Sequence, residues 1–95
     1  MVEFTVTYGR SFAKALKKLH SDKVVAAKAA LEMFFANRHH PSLNFEAIIN
    51  KPHFYSIRVN RKIRIALRIV WGDHERIVSV EVIDIGNHDD IYRRR

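Results

Sequence analysis

The sequence predicts an α+β fold: an N-terminal strand, a two-helix hairpin, then a three-stranded antiparallel meander. Both helices pack on one face of a four-stranded antiparallel sheet. Three observations predict it. The stretch "YSIRVNRKIRIALRI" at 55–69 separates by parity, with Tyr55, Ile57 and Val59 opposed to Ser56, Arg58 and Asn60. After a break, Ile63, Ile65, Leu67 and Ile69 oppose Arg64, Ala66, Arg68 and Val70. A period of two marks strands with one buried face. Residues 12–35 instead repeat their apolar positions at spacings of three and four, the helical period. Finally, "VEFTVTY" alternates Val2, Phe4, Val6 and Tyr8 with Glu3, Thr5 and Thr7, a half-buried strand placed ahead of the helices.

Taken in order, Gly9 ends the first strand. Ser11 is read as the cap of a short helix, "FAKALKKL", whose Phe12, Leu16 and Leu19 fall on one side and Lys14, Lys17 and Lys18 mostly on the other. "HSD" is a three-residue link with Ser21 or Asp22 as the next cap. The second helix, "KVVAAKAALEMFFANR", carries Val24, Ala27, Leu31, Phe34 and Phe35 on one stripe. Its alanines favour helix and allow close packing. Asn37 through Pro41 stop it. "PSLNFEAIINKPHF" is irregular and wraps the sheet edge, with Leu43, Phe45 and Ile48 tucked inward. A tight turn at "NRK" and a looser one at "WGDHE" link the meander strands. "RIVSVEVIDI", β-branched and continuous, reads as a central strand, and Asn87 caps a single helical turn in "GNHDDIYRRR".

Ninety-five residues make one domain, spanning 1–95, that buries about 60–65% of its unfolded surface. At 47% hydrophobic, the chain is composed like a packed globule and not a basic tail. Without Cys there is no disulfide framework and no thiol nucleophile or Cys-based metal site. The first ten residues lack the basic start and apolar run of a signal peptide, and no window approaches a membrane span. A cytoplasmic protein without membrane contact is expected. Seventeen Lys and Arg against ten Asp and Glu leave +7, which suits an acidic partner: nucleic acid or an acidic protein segment.

Two constellations bear on chemistry. Arg58, Arg64 and Arg68 form a column on the polar face of the hairpin, with Ala66 as a shallow floor between the last two. Arg64 and Arg68 stand about 13–14 Å apart at the usual strand rise. Guanidinium forks match phosphate bidentately. Read blandly, the column is a solvated face with cross-strand ion pairs to Glu81. In the tail, His88 and Tyr92 are four apart and share one face of a helical turn. An imidazole and a phenol can share proton transfer in phosphodiester chemistry, where RNA supplies its own 2′-hydroxyl nucleophile. Otherwise they anchor the tail onto the sheet. His39 and His40 lack companion ligands, so no metal is expected. Trp71 either stacks a base or packs its turn.

Strand–helix–helix–three strands, with "YSIRVNRKIRI" in the hairpin and "IGNHDDIY" after the last strand, resembles the RelE/ParE superfamily of bacterial toxins across essentially the whole chain. "HPSLNFEAI" is similar to a branch whose tail reads H-D-x-x-Y. The resemblance implies a type II toxin–antitoxin toxin. Most members are ribosome-dependent mRNA endonucleases that need no metal or other cofactor. By position it makes His88, Tyr92, Arg64 and Arg58 the catalytic set, with Arg61, Arg68 and Lys62 holding substrate. Partners implied are a cognate antitoxin, which the positive charge suits, and mRNA on the ribosome. The chain departs from many nuclease members in carrying Asp89 and Asp90 directly after the tail His, where Arg is common. Two carboxylates beside the cleft would repel phosphate unless neutralised, for instance by Arg93 or Arg94. The usual Lys-rich segment is reduced to Lys51, Pro52 and His53. The alternatives are a ParE-like inhibitor of DNA gyrase, built on the same scaffold, or an inactive binding member. On this reading Arg64→Ala abolishes toxicity and leaves the fold intact.

Overall fold

In the computed structural model, which describes residues 4–94, the strands are β1 (Thr5–Tyr8), β2 (Glu46–Ala47), β3 (Phe54–Arg58), β4 (Ile63–Trp71) and β5 (Ile77–Asn87). The helices are α1 (Arg10–Lys17), α2 (Ser21–Ala36) and α3 (His88–Arg94). Val2 and Glu3, assigned above to the first strand, lie outside the described residues, as do the side chains of Arg93 and Arg94. No described helix is long and apolar enough to cross a membrane.

The α+β expectation holds, with two corrections to the sheet. It has five strands, ordered β1-β5-β4-β3-β2, and it is mixed because β1 runs parallel to β5. Period-two patterning marks a strand but does not encode the direction of its neighbour, so the parallel pair was not legible. The fifth strand, β2, comes from the stretch read as irregular. Its two residues pair with Tyr55 and Ser56, and two residues are too few to display any period.

Both helix starts also differ from expectation. Gly9, not Ser11, caps α1, and His20, not Ser21 or Asp22, precedes α2. In the second case the His20 carbonyl takes the N–H bonds of Lys23 and Val24 at 2.9 and 3.1 Å, so the helix is under way before Asp22 is reached. The Asp22 carboxylate turns to the His20 ring instead, 2.7 Å away. Gly9 is where the chain leaves the sheet. Its N–H donates to the Val82 carbonyl at 2.7 Å, and a Cβ there would stand 3.3 Å from that oxygen. Only a residue without a side chain makes this approach comfortably.

The helix side of the sheet holds the main core. Phe12, Ala27, Ala30, Leu31 and Phe34 pack on Ile57, Ile65, Leu67, Ile69, Val80, Val82 and Ile85. These are the apolar-parity residues of the meander and the apolar stripe of α2. Burial of each large side chain contributes roughly 1.5–3 kcal/mol. Phe34, Phe45, Tyr55 and Trp71 form a chain of ring contacts with centroids 5.3–5.8 Å apart. Trp71 thus packs its turn, donating from Nε1 to the Tyr55 hydroxyl at 2.9 Å.

The opposite face, expected to be partly open, is roofed. α3 is seven residues rather than one turn, and it folds back so that Ile91 is fully buried against Ala66 and Ile48. A β-bulge makes this second cluster possible. Ala66 pairs with Asp84 while Leu67 pairs with Val82, so Ile83 is the extra residue and joins the outer cluster.

Candidate functional site

Four strands present a row on the outer face, because directly paired residues point the same way: Glu46, Ser56, Ala66 and Asp84, from β2, β3, β4 and β5. Arg58, Arg64 and Gly86 form the next row. Ser56 and Ala66 are small, and the shallow floor they make is what α3 occupies. Ile91 fills it, and Tyr92 follows over Ser56.

Arg64 is the hub, and it is buried, with 4% of its surface exposed. This corrects the expectation of an open arginine column. Its Nε donates to Ser56 Oγ at 2.9 Å, and its Nη2 donates to the Asn44 carbonyl at 2.7 Å and the Ser56 carbonyl at 3.3 Å. Asn44 offers that carbonyl from a left-handed backbone conformation, φ 43°, which Asn tolerates better than most residues. Glu46 Oε2 lies 4.0 Å from Nη2. A guanidinium taken out of water is tolerable only when bonded and paired in this way.

The Tyr92 hydroxyl closes the network. It donates to Glu46 Oε2 and lies 2.8 Å from Ser56 Oγ. Since Ser56 Oγ already accepts from Arg64 and the phenolic proton is directed at Glu46, the serine proton points to Tyr92. The wire therefore has one polarity: Arg64 to Ser56 to Tyr92 to Glu46. Burial first, and then the bond to the Glu46 carboxylate, raises the Tyr92 pKa above its ordinary value. The phenol is accordingly a proton donor at neutral pH, not a base.

His88 sits at the rim. Its ring stacks on Tyr92 with centroids 4.4 Å apart and planes at 15°, as expected of residues four apart on a helix. The His88 backbone N–H donates to the Lys62 carbonyl at 2.9 Å, which ties α3 to the β3–β4 turn. Asp89, 80% exposed, approaches the His88 Nδ1 to 3.5 Å. Asp84, buried opposite Ala66, accepts the Ile85 N–H at 2.9 Å.

Of the residues singled out in the sequence, His88, Tyr92 and Arg64 meet here, with Arg58 exposed opposite Arg64 in register. Arg68 does not join them. It is exposed on the far side of Ala66, opposite Glu81 and Phe54. Arg61 and Lys62 lie at the hairpin tip, where they line a separate concavity with Lys23 and Asn60. His39 and His40 are not part of the network; His40 Nδ1 bonds Ser42. Among the described residues no group of three or more His, Asp or Glu is placed to hold a metal ion.

Sequence reading missed Glu46 and Ser56. Ser56 carried a signal, since its parity put it on the polar face next to Arg58. Glu46 carried none, because its two-residue strand is visible only in the sheet.

No family model matches the chain, and no curated protein does. Solved structures do. A chain of the Escherichia coli DinJ–YafQ toxin–antitoxin complex superposes with a TM-score of 0.75 at 9% identity, covering 96% of this chain and 99% of its own. A YoeB/ParE toxin from Agrobacterium tumefaciens gives 0.69 at 13% identity, over 90% of this chain and 99% of its own. A mutant of the Escherichia coli toxin RelE in the free state gives 0.67 at 18% identity, over 95% and 90%. At these identities the likeness is one of backbone, and the conclusion it carries is that this chain has the fold of the RelE/ParE-type toxins.

Proposed function

We propose that the protein is the toxin of a toxin–antitoxin pair and acts as an endoribonuclease on mRNA held in the ribosome. The observation that carries this reading is the convergence of Arg64 and Glu46 from the sheet with Tyr92 and His88 of the tail helix on one face, in a fold shared with toxins of toxin–antitoxin pairs. Cleavage requires deprotonation of the 2′-hydroxyl, stabilisation of the charge gathering on phosphorus, and protonation of the leaving oxygen. Arg64, fixed by three hydrogen bonds, supplies positive potential that costs no reorganisation when charge develops. Tyr92 keeps its proton and offers it from a fixed position. The ring of His88, half-exposed at the rim, takes the proton of the 2′-hydroxyl, and the Tyr92 hydroxyl, turned from Glu46, gives its proton to the leaving oxygen. Arg58 and Arg68, both exposed, receive substrate phosphates. The products are a 2′,3′-cyclic phosphate and a free 5′-hydroxyl. An acidic antitoxin segment suits the net charge of +7, and the similar DinJ–YafQ structure is a toxin–antitoxin complex.

The test is induced expression in a bacterial host lacking the antitoxin, with mRNA 5′ ends mapped within minutes, for the natural chain and for His88→Ala, Tyr92→Phe and Glu46→Gln. Codon-phased new ends in translated frames, lost in the variants, are expected. Growth arrest with intact mRNA and stabilised gyrase cleavage complexes would move the activity to DNA gyrase. Absence of any toxicity would make the chain a binding member.

A further inference from the structure

The concavity at the tip of the β3–β4 hairpin is open, about 600 Å³ in volume, and lined by Lys23, Asn60, Arg61 and Lys62. Three cations from two separate elements, the start of α2 and the turn, converge there, and among the described residues no carboxylate lines it. The acidic group that approaches is Asp22, 4.0 Å from the Lys23 Nζ, and it is already engaged by His20 at 2.7 Å. Lys23 keeps 45% of its side chain exposed.

Asn60 turns this cluster of charges into a shaped site. Its Oδ1 accepts the N–H of Lys62 at 2.9 Å and of Ile63 at 2.8 Å, which settles which end of the carboxamide is oxygen. The Nδ2 group is held by the same two bonds, and it has no hydrogen-bond partner among the described residues. The residues of the lining thus carry three ammonium or guanidinium groups and one amide donor whose orientation the turn fixes. Such a set is complementary to an anion with several acceptor oxygens, as a backbone phosphate has. The same turn gives the Lys62 carbonyl to the His88 N–H at 2.9 Å, so the concavity adjoins the tail residue that flanks the Arg64–Tyr92 network.

We propose that this concavity is a second anion subsite, separate from the Arg64 network, which holds a backbone phosphate of single-stranded RNA flanking the bond to be cut. The inference rests on the endoribonuclease reading and adds to it a fixed point for the strand outside the reacting centre, with Lys23 and Asn60 as members.

The test uses the full chain and a fluorescein-labelled 2′-O-methyl oligoribonucleotide, which lacks the attacking hydroxyl and so reports binding without cleavage. Anisotropy is followed over a salt series, and cleavage of unmodified RNA on ribosomes is measured in parallel. Asn60→Asp keeps an oxygen for both turn N–H groups but replaces the amide donor with negative charge. It is expected to weaken binding about tenfold or more, as removal of a hydrogen bond to a charged group does. The double variant Lys23→Ala/Arg61→Ala, confined to surface side chains, is expected to reduce the slope of log K against log salt by roughly 0.7, the counterions released by one phosphate of a single strand. Tyr92→Phe is expected to leave both affinity and slope unchanged. Equal affinity and slope across all variants would overturn the subsite, even if cleavage persists, and so would a wild-type chain that does not bind the oligonucleotide. Loss of binding in the Asn60 and Lys23/Arg61 variants with no cleavage by wild type would uphold the subsite and remove the nuclease reading.

Discussion

Replacing Arg64 by Ala tests the network at its hub, and its outcome differs from what an exposed arginine would give. The guanidinium is 4% exposed and donates to Ser56 Oγ, the Ser56 carbonyl and the Asn44 carbonyl. Its removal leaves those acceptors without their donor and opens a void beneath α3. Loss of one partner from a buried charged network costs about 3–5 kcal/mol. Glu46 retains 41% exposure and can rehydrate, which argues for the lower end, about 3 kcal/mol. For a chain of 95 residues, about 3 kcal/mol lowers the melting temperature by roughly 12–24 °C. That is a large part of the 5–15 kcal/mol of total stability typical of such domains. Against the sequence-based expectation that Arg64→Ala leaves the fold intact, the burial of the guanidinium predicts a folded but markedly less stable chain, so lost toxicity in this variant would not by itself assign a chemical role. Thermal unfolding followed by circular dichroism measures the effect directly. Arg64→Lys, which keeps a charge but not the fork, is expected to fall between wild type and Ala. A melting temperature within about 2 °C of wild type for Arg64→Ala would refute the claim that the guanidinium is built into the fold. Tyr92→Phe removes one hydroxyl, bonded to Ser56 and to the partly exposed Glu46, costs about 1.5–3 kcal/mol, and is the cleaner probe of activity.

The Tyr92 phenol gives a pH prediction. Its pKa is raised by burial and by the Glu46 carboxylate, so it contributes stability that is fully present below the ordinary phenol value of about 10 and is lost as pH rises through the folded value. Among the three tyrosines, ultraviolet titration should show a late-titrating phenol that vanishes in Tyr92→Phe and moves down in Glu46→Gln, where the carboxylate charge is gone. Ala66→Leu places a branched side chain where Ile91 packs; α3 should lift from the sheet at a cost of about 1–3 kcal/mol, seen as faster proteolysis of the tail with the helix-side core preserved. Gly9→Ala forces a Cβ to 3.3 Å from the Val82 carbonyl, and a loss on the order of 1 kcal/mol in chemical denaturation is expected.

The two halves of the molecule differ in how much of them the sequence discloses. The helix-side layer was legible because it is built from periodicity. Ile57, Ile65, Leu67 and Ile69 share a parity, Ala27, Leu31 and Phe34 share a helical stripe, and both patterns arise from local backbone geometry. His88 and Tyr92 were legible as a pair for the same reason, being one helical turn apart. What only the tertiary structure decided is how those surfaces are finished. Parity put Arg64 on the polar face, but its burial depends on α3, which begins 24 residues later in the chain, and on the Asn44 carbonyl from 20 residues earlier. Glu46 reaches Tyr92 across 46 residues, through a two-residue strand that has no pattern of its own. The direction of β1 and the gathering of Lys23 with Asn60 and Arg61 are likewise matters of long-range contact. Local geometry writes a period into the sequence. Convergence of distant residues leaves no such mark, because any spacing along the chain can be closed by the fold.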